Sequence, residues 1–165
     1  MPKIYHLRRK EKKITENSEI EKIFLDQKVF TLAMCKNNIP YLVTMDYVWD
    51  SSEKCFYFHC AAAGKKIDIL NSNSNIWGQI VEDLGYIPGE CDHAYRSVHF
   101  EGKVEFIDEI AIKRKALELM IKKFENDPQP LYERFLQEKS LKSVKIGKIS
   151  PKYLTGKKYQ KTSPK

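Results

Sequence analysis

The chain has 165 residues, 42% hydrophobic and 12% aromatic, which bounds it to one globular domain with a substantial core. A formal net charge of +7 calls for an anionic partner, yet much of the excess sits at the two ends, where basic residues are most often solvated. No run of about 18 apolar residues is present, which excludes a membrane-spanning helix, and the charged opening MPKIYHLRRKEKK is not expected to be a secretory signal.

In chain order, residues 1–14 read as a basic arm. Ser18 and Glu21 fit a capping box, and Ile20, Ile23 and Phe24 predict a short helix to about Gln27. Val29 to Cys35 predicts a strand, Lys36-Asn37-Asn38 a turn, and Ile39 to Trp49 one long second strand with Pro40 at its start. Asp50 to Glu53 is a turn, and the alternating aromatics Phe56 and Phe58 predict a half-buried strand from Lys54 to Cys60.

The chain then passes through Ala61–Ala63 and Gly64-Lys65-Lys66 into a helix that stops near Asn71 to Asn75. Ile76 to Val81 predicts a fourth strand, with Gly78 marking a bulge or bend. Leu84 to His93 reads as a loop, and Tyr95 to Ile107 as a long strand bent at Gly102. Ile112, Ala116, Leu117, Met120, Ile121 and Phe124 form the apolar face of a helix over Glu109–Phe124, with Lys113, Arg114, Lys115, Lys122 and Lys123 on its solvated side. A second amphipathic helix carries Leu131 and Phe135. Ser143 to Ile149 predicts the closing strand, and residues 157–165 read as a basic tail. Hairpin connections rule out a parallel βαβ sheet. Six short antiparallel strands with peripheral helices predict a mainly β protein built on a small closed barrel, over residues 15–156.

The stretch from Cys55 to Leu70 has the makings of a phosphate site. A strand delivers a glycine and two lysines to a helix start, where free N–H groups and the helix dipole favour an anion. There is no GxxxxGK[ST] and no GxGxxG, so the same residues also read as a plain strand–turn–helix with solvated lysines. His59 reads either as a functional group or as a core histidine. Trp49 and Trp77 read as core or dimer contacts. The four cysteines have no CxxC spacing, which predicts reduced thiols in a cytoplasmic protein. Cys91 and His93 lack the second pair a structural zinc site requires.

Four fragments in series carry a family resemblance: TLAM (Thr31–Met34), IPYLVTMDY (Ile39–Tyr47), FYFHCAAAGKKIDIL (Phe56–Leu70) and YRSV (Tyr95–Val98). The chain resembles the pyridoxamine 5′-phosphate oxidase-like FMN-binding split-barrel family, and within it the nitroimidazole-resistance (Nim-type) flavoproteins. The resemblance implies a six-stranded split barrel, a homodimer with flavin at its interface, and FMN (or FAD) as cofactor. It sets the FMN phosphate against Gly64, Lys65 and Lys66, with His59 and Cys60 beside it. Val43, Thr44, Met45, Asp46 and Tyr47 would run along the flavin ring, with Met34 and Phe58 nearby and Arg96 and Ser97 as a further polar pair. His59 is the implied catalytic candidate. The implied activity is reduction of small acceptors such as nitro compounds or quinones by reduced flavin, with a small-molecule electron donor. Lysine stands at both positions of the oxidase's phosphate-site pair, and its substrate arginines find no counterpart, so pyridoxamine phosphate oxidation is not implied. The alternative is a non-catalytic flavin- or heme-binding module. Neither a membrane nor nucleic acid is an expected partner.

Overall fold

The computed structural model describes residues 7–160; the outermost parts of the expected arm and tail, residues 1–6 and 161–165, lie outside the described residues. Nine antiparallel strands and five helices follow in the order β1 (Lys13–Ile14), α1 (Asn17–Asp26), β2 (Val29–Lys36), β3 (Ile39–Asp46), β4 (Val48–Asp50), β5 (Cys55–Cys60), α2 (Lys65–Ser72), β6 (Asn75–Ile87), β7 (Asp92–Ile107), α3 (Ile110–Phe124), α4 (Gln129–Phe135), α5 (Glu138–Ser143), β8 (Lys145–Ile149) and β9 (Tyr153–Tyr159). The hydrogen-bonded path runs β3-β2-β6-β7-β8-β5-β4, with β9 added along β7 and β1 along β9.

The split-barrel class is as expected, but the strands number nine rather than six, and the path does not close into a ring. Three differences explain the count. The long second strand breaks at Tyr47, so β3 and β4 lie at opposite ends of the path. Tyr47 is held there by its stack on Phe30 (5.0 Å between centroids) and by its hydroxyl, which donates to the Phe24 carbonyl at 2.9 Å. Lys13–Ile14 of the expected arm pairs with Lys157 and Gly156. Lys157, Lys158 and Tyr159, expected in a tail, belong to β9, which runs beside Tyr95–Glu101. Local charge and polarity conceal such a strand, because its pairing is entirely long-range.

β7 joins the two halves of the barrel. Its Tyr95–Glu101 segment pairs with β9 and its Val104–Ile107 segment with β8. Gly102 sits at the changeover, where an added Cβ would lie 2.8 Å from Ile149 Cγ2. Gly78 causes no bulge: it pairs in register with Leu32 and Phe100, and the Phe100 ring fills the space its Cβ would need. The bulge lies between Asp83 and Tyr86. Beyond it Tyr86 and Ile87 pair with His93 and Asp92, so the expected loop is a hairpin extension.

The core is aromatic. Phe30, Tyr47, Phe56 and Phe100 are buried, with Phe30 and Phe56 in ring contact with each other and each with Tyr47 and Phe100, flanked by Phe24 and Trp49. Such pairs add about 0.5–1.5 kcal/mol each beyond area burial. β5 is buried at every position but His59, not half-buried, because α3 covers its outer side. Trp49 is in this core, whereas Trp77 is exposed. The Ser18–Glu21 capping box does not form. Ser18 is inside α1, and the Glu21 carboxylate accepts from Trp49 Nε1 (3.0 Å) and Lys54 Nζ (3.2 Å), which with a hydroxyl from Ser51 holds its pKa down at about 2.

Nor is the basic side of α3 uniformly solvated. Lys113 is buried and donates to the Leu141 and Val144 carbonyls at 3.2 and 2.8 Å, tying α3 to the end of α5. Lys115 bridges Asp50 and Glu53. Lys123 folds beneath α1 onto the Phe24 and Gln27 carbonyls, 4.0 Å from the Tyr47 ring centroid. Long aliphatic stems let lysines cover apolar surface while their ammonium groups find oxygen acceptors.

Candidate functional site

β5 ends at Cys60, and Ala61–Ala63 carry the chain to Gly64, which caps α2 in an extended conformation with φ +127°, a region open to glycine and strained for other residues. No side chain caps this helix; the first N–H to find an acceptor is that of Ile67, on the Gly64 carbonyl at 2.9 Å. The N–H groups of the first turn are left facing outward, at the positive end of the helix dipole.

Lys65 and Lys66 lean from this turn toward β3. Lys65 Nζ lies 4.6 Å from the Tyr41 ring centroid, and Lys66 Nζ lies 3.3 Å from Met45 Sδ. A thioether is a weak acceptor and a ring face is not a counter-ion. Among the described residues neither ammonium reaches a carboxylate, although eight other lysine or arginine contacts to carboxylates form. Two uncompensated cations, a helix start and a glycine make a donor set suited to a phosphate.

β3 completes this side. It pairs only with β2 among the described residues, so its other edge presents free backbone N–H and C=O groups from Ile39 to Asp46. Tyr41, Val43 and Met45 turn toward the core and are half-buried, while Leu42, Thr44 and Asp46 are exposed on the outer face. Thr44 Oγ1 shares a 2.9 Å hydrogen bond with Thr31 Oγ1 across the ladder. The candidate residues Val43 to Asp46 therefore lie along one open strand edge with the lysines beside Met45, and Tyr47 closes the segment from within the core.

Met34 and Phe58 are core side chains; the Phe58 ring lies directly over Gly147. Cys60 is buried, and burial pushes its thiol pKa up, partly offset by Lys66 and Lys145. His59 points the opposite way from Phe58 and Cys60, as alternation requires, and is exposed at a cavity of about 490 Å³ roofed by α3, α4 and α5. Asp46 lies at the same cavity, so the end of β3 connects the lysine side to the histidine side.

Arg96 and Ser97 do not join the lysines within one chain. The register of β7 is regular there, so the two side chains take opposite faces. Arg96 faces inward and ion-pairs with Glu82; that contact raises the guanidinium pKa and lowers the carboxylate's. Across the ladders Arg96 aligns with residue 28, just before β2, and lies three strands from β3, about 14 Å across the sheet. Ser97 is buried on the outer face between Val81 and Lys157. Glu82 as the arginine's partner, Tyr41 beneath Lys65, and the cavity itself were not readable from local sequence. The apolar face of α3 was, but nothing in its spacing separates a cavity wall from ordinary core.

The family model for pyridoxamine 5′-phosphate oxidase matches residues 16–158. Among solved structures, a candidate 5-nitroimidazole antibiotic resistance protein from Bacteroides thetaiotaomicron is 26% identical, with 88% of this chain and 85% of that chain covered and a TM-score of 0.70. A flavocytochrome from Azotobacter vinelandii (15% identity, 95% and 73% coverage, TM-score 0.77) and an FAD- and heme-binding protein from Mycobacterium smegmatis (15%, 93% and 76%, 0.76) share the fold. A search of the curated proteins finds no significant match. With the match spanning strands β2 to β9 and every element of the lysine site, the chain belongs to the pyridoxamine 5′-phosphate oxidase family.

Proposed function

We propose that the protein binds FMN and acts as a flavin-dependent oxidoreductase toward small acceptors such as nitro compounds or quinones. The observation that carries this reading is the pair of cations, Lys65 and Lys66, without a carboxylate partner among the described residues, at the glycine-capped start of α2 beside the open edge of β3. The lysines and the first-turn N–H groups would hold the phosphate, each charge-assisted bond contributing about 1.5–3 kcal/mol. The backbone of Val43–Asp46 would orient the ring through its free N–H and C=O groups, which leaves the side chains there free to vary. The bound flavin would supply hydride and electron transfer; the protein supplies placement and electrostatics. The resemblance to a nitroimidazole-resistance protein supports the choice of acceptor.

The reading includes a homodimer. Val29, Leu42, Trp77 and Val81 are 46, 63, 47 and 46% exposed, and the ladder register puts all four on the outer face of the sheet that carries β3. An apolar face of this kind suits a protein partner, and a second chain across it would bring Ser97 and its neighbours to the cofactor edge.

The purified protein is expected to be yellow, or to take up FMN with quenching of flavin fluorescence, and mass spectrometry of the released small molecule should give FMN. Colourless protein that takes up no flavin overturns the reading. The fold shared with a flavocytochrome and with an FAD- and heme-binding protein favours a second reading, a non-catalytic cofactor module with FAD or heme. Bleaching of bound flavin by NADH or NADPH supports the enzyme, and inert bound flavin the module.

A further inference from the structure

We propose that Tyr41 is a positioning residue of the lysine site, its ring holding the Lys65 ammonium ready for the phosphate of the cofactor. This role rests on the flavin reading. Lys65 is exposed on the first turn of α2, and a long, flexible side chain spreads over many rotamers unless something holds it. Ordering it at the moment of binding would reduce the affinity. A carboxylate could hold it, but would neutralise the charge and compete with the phosphate for the ammonium N–H groups.

Tyr41 offers a different hold. Its ring centroid lies 4.6 Å from Lys65 Nζ, within the range of a cation–π contact. A ring face attracts the ammonium without taking a strong hydrogen bond from it, so the N–H groups turned away from the ring stay available to phosphate oxygens. The strand fixes the ring. Tyr41 pairs with Met34 across the β2–β3 ladder and is half-buried against the core, so its place is set by the sheet and not by the helix that carries the lysine. The contact therefore ties the start of α2, where the phosphate would sit, to the strand whose free edge would orient the flavin ring. The Tyr41 hydroxyl has no hydrogen bond among the described residues, so the ring is the part in use.

The test titrates the full-length protein with FMN and with riboflavin by fluorescence quenching. Tyr41→Leu, which keeps an apolar side chain on the strand, should weaken FMN about two- to fivefold and leave riboflavin unchanged. Tyr41→Phe, which keeps the ring, should bind FMN as the native protein does. In a Lys65→Met background, Tyr41→Leu should have no further effect, because the side chain it positions is gone. Full FMN affinity in Tyr41→Leu, equal losses for both ligands, Tyr41→Phe as weak as Tyr41→Leu, or an undiminished effect in the Lys65→Met background overturns the role of Tyr41 and leaves the flavin reading in place. Native protein that binds neither ligand overturns the flavin reading, and this role with it.

Discussion

Lys66→Met separates a phosphate grip from a merely basic surface. The ammonium of Lys66 is half-buried, and among the described residues its hydrogen-bond partner is the Met45 thioether, a weak acceptor. Methionine keeps most of the aliphatic stem and has similar helix propensity, and loss of a cation from the first turn of α2 removes a mildly unfavourable dipole contact. Stability should therefore hold or rise slightly. If the ammonium makes one charge-assisted bond to phosphate, its loss costs about 1.5–3 kcal/mol, or roughly 10- to 150-fold in affinity. Lys65, more exposed and resting on Tyr41, should fall at the low end of that range. The assay is a fluorescence-quenching titration with FMN and, in parallel, with riboflavin, which has the ring but no phosphate. The reasoning requires a loss confined to FMN. Parallel weakening of both ligands, or no change for FMN, would refute it.

Two further predictions concern the scaffold. Gly147→Ala should lower stability by about 1–3 kcal/mol or more in denaturant unfolding, because its Cβ would lie 2.2 Å from the Phe58 ring, which is locked among core aromatics. Burial lowers the pKa of Lys123 from 10.5 to about 8, so in that window the unfolded chain holds a proton that the folded chain has released. Stability should then rise with pH between about 8 and 10.5, and Lys123→Met should flatten that rise in unfolding curves across the window; identical slopes would count against it.

The barrel was legible because its hairpins are local. Asn37 and Asn38, expected in a turn, have φ of 51° and 62°, values asparagine tolerates, and β2 and β3 follow from them in full register. The strand–glycine–lysine–helix handover was legible for the same reason, since a cap and its helix are adjacent in sequence. What stayed hidden depends on distant partners. The strand character of Tyr153–Tyr159 exists only through β7 and β1, and the basic composition of that segment points to solvent. The break at Tyr47 reflects a hydroxyl bound to a helix carbonyl some twenty residues earlier. The ion pair of Arg96 with Glu82 was hidden because Glu82 lies on another strand. Glu21 looked like a cap because Trp49 and Lys54, which claim its carboxylate, come much later in the chain.

The bare edge of β3 has a consequence for handling the protein. Its unpaired backbone donors and acceptors are available to a stray β-segment from another chain. Pro40 removes one donor near the start of the strand and Asp46 places a charge at its finish, leaving Tyr41 to Met45 as the sticky interval. At high concentration, clumping is expected to start from that interval.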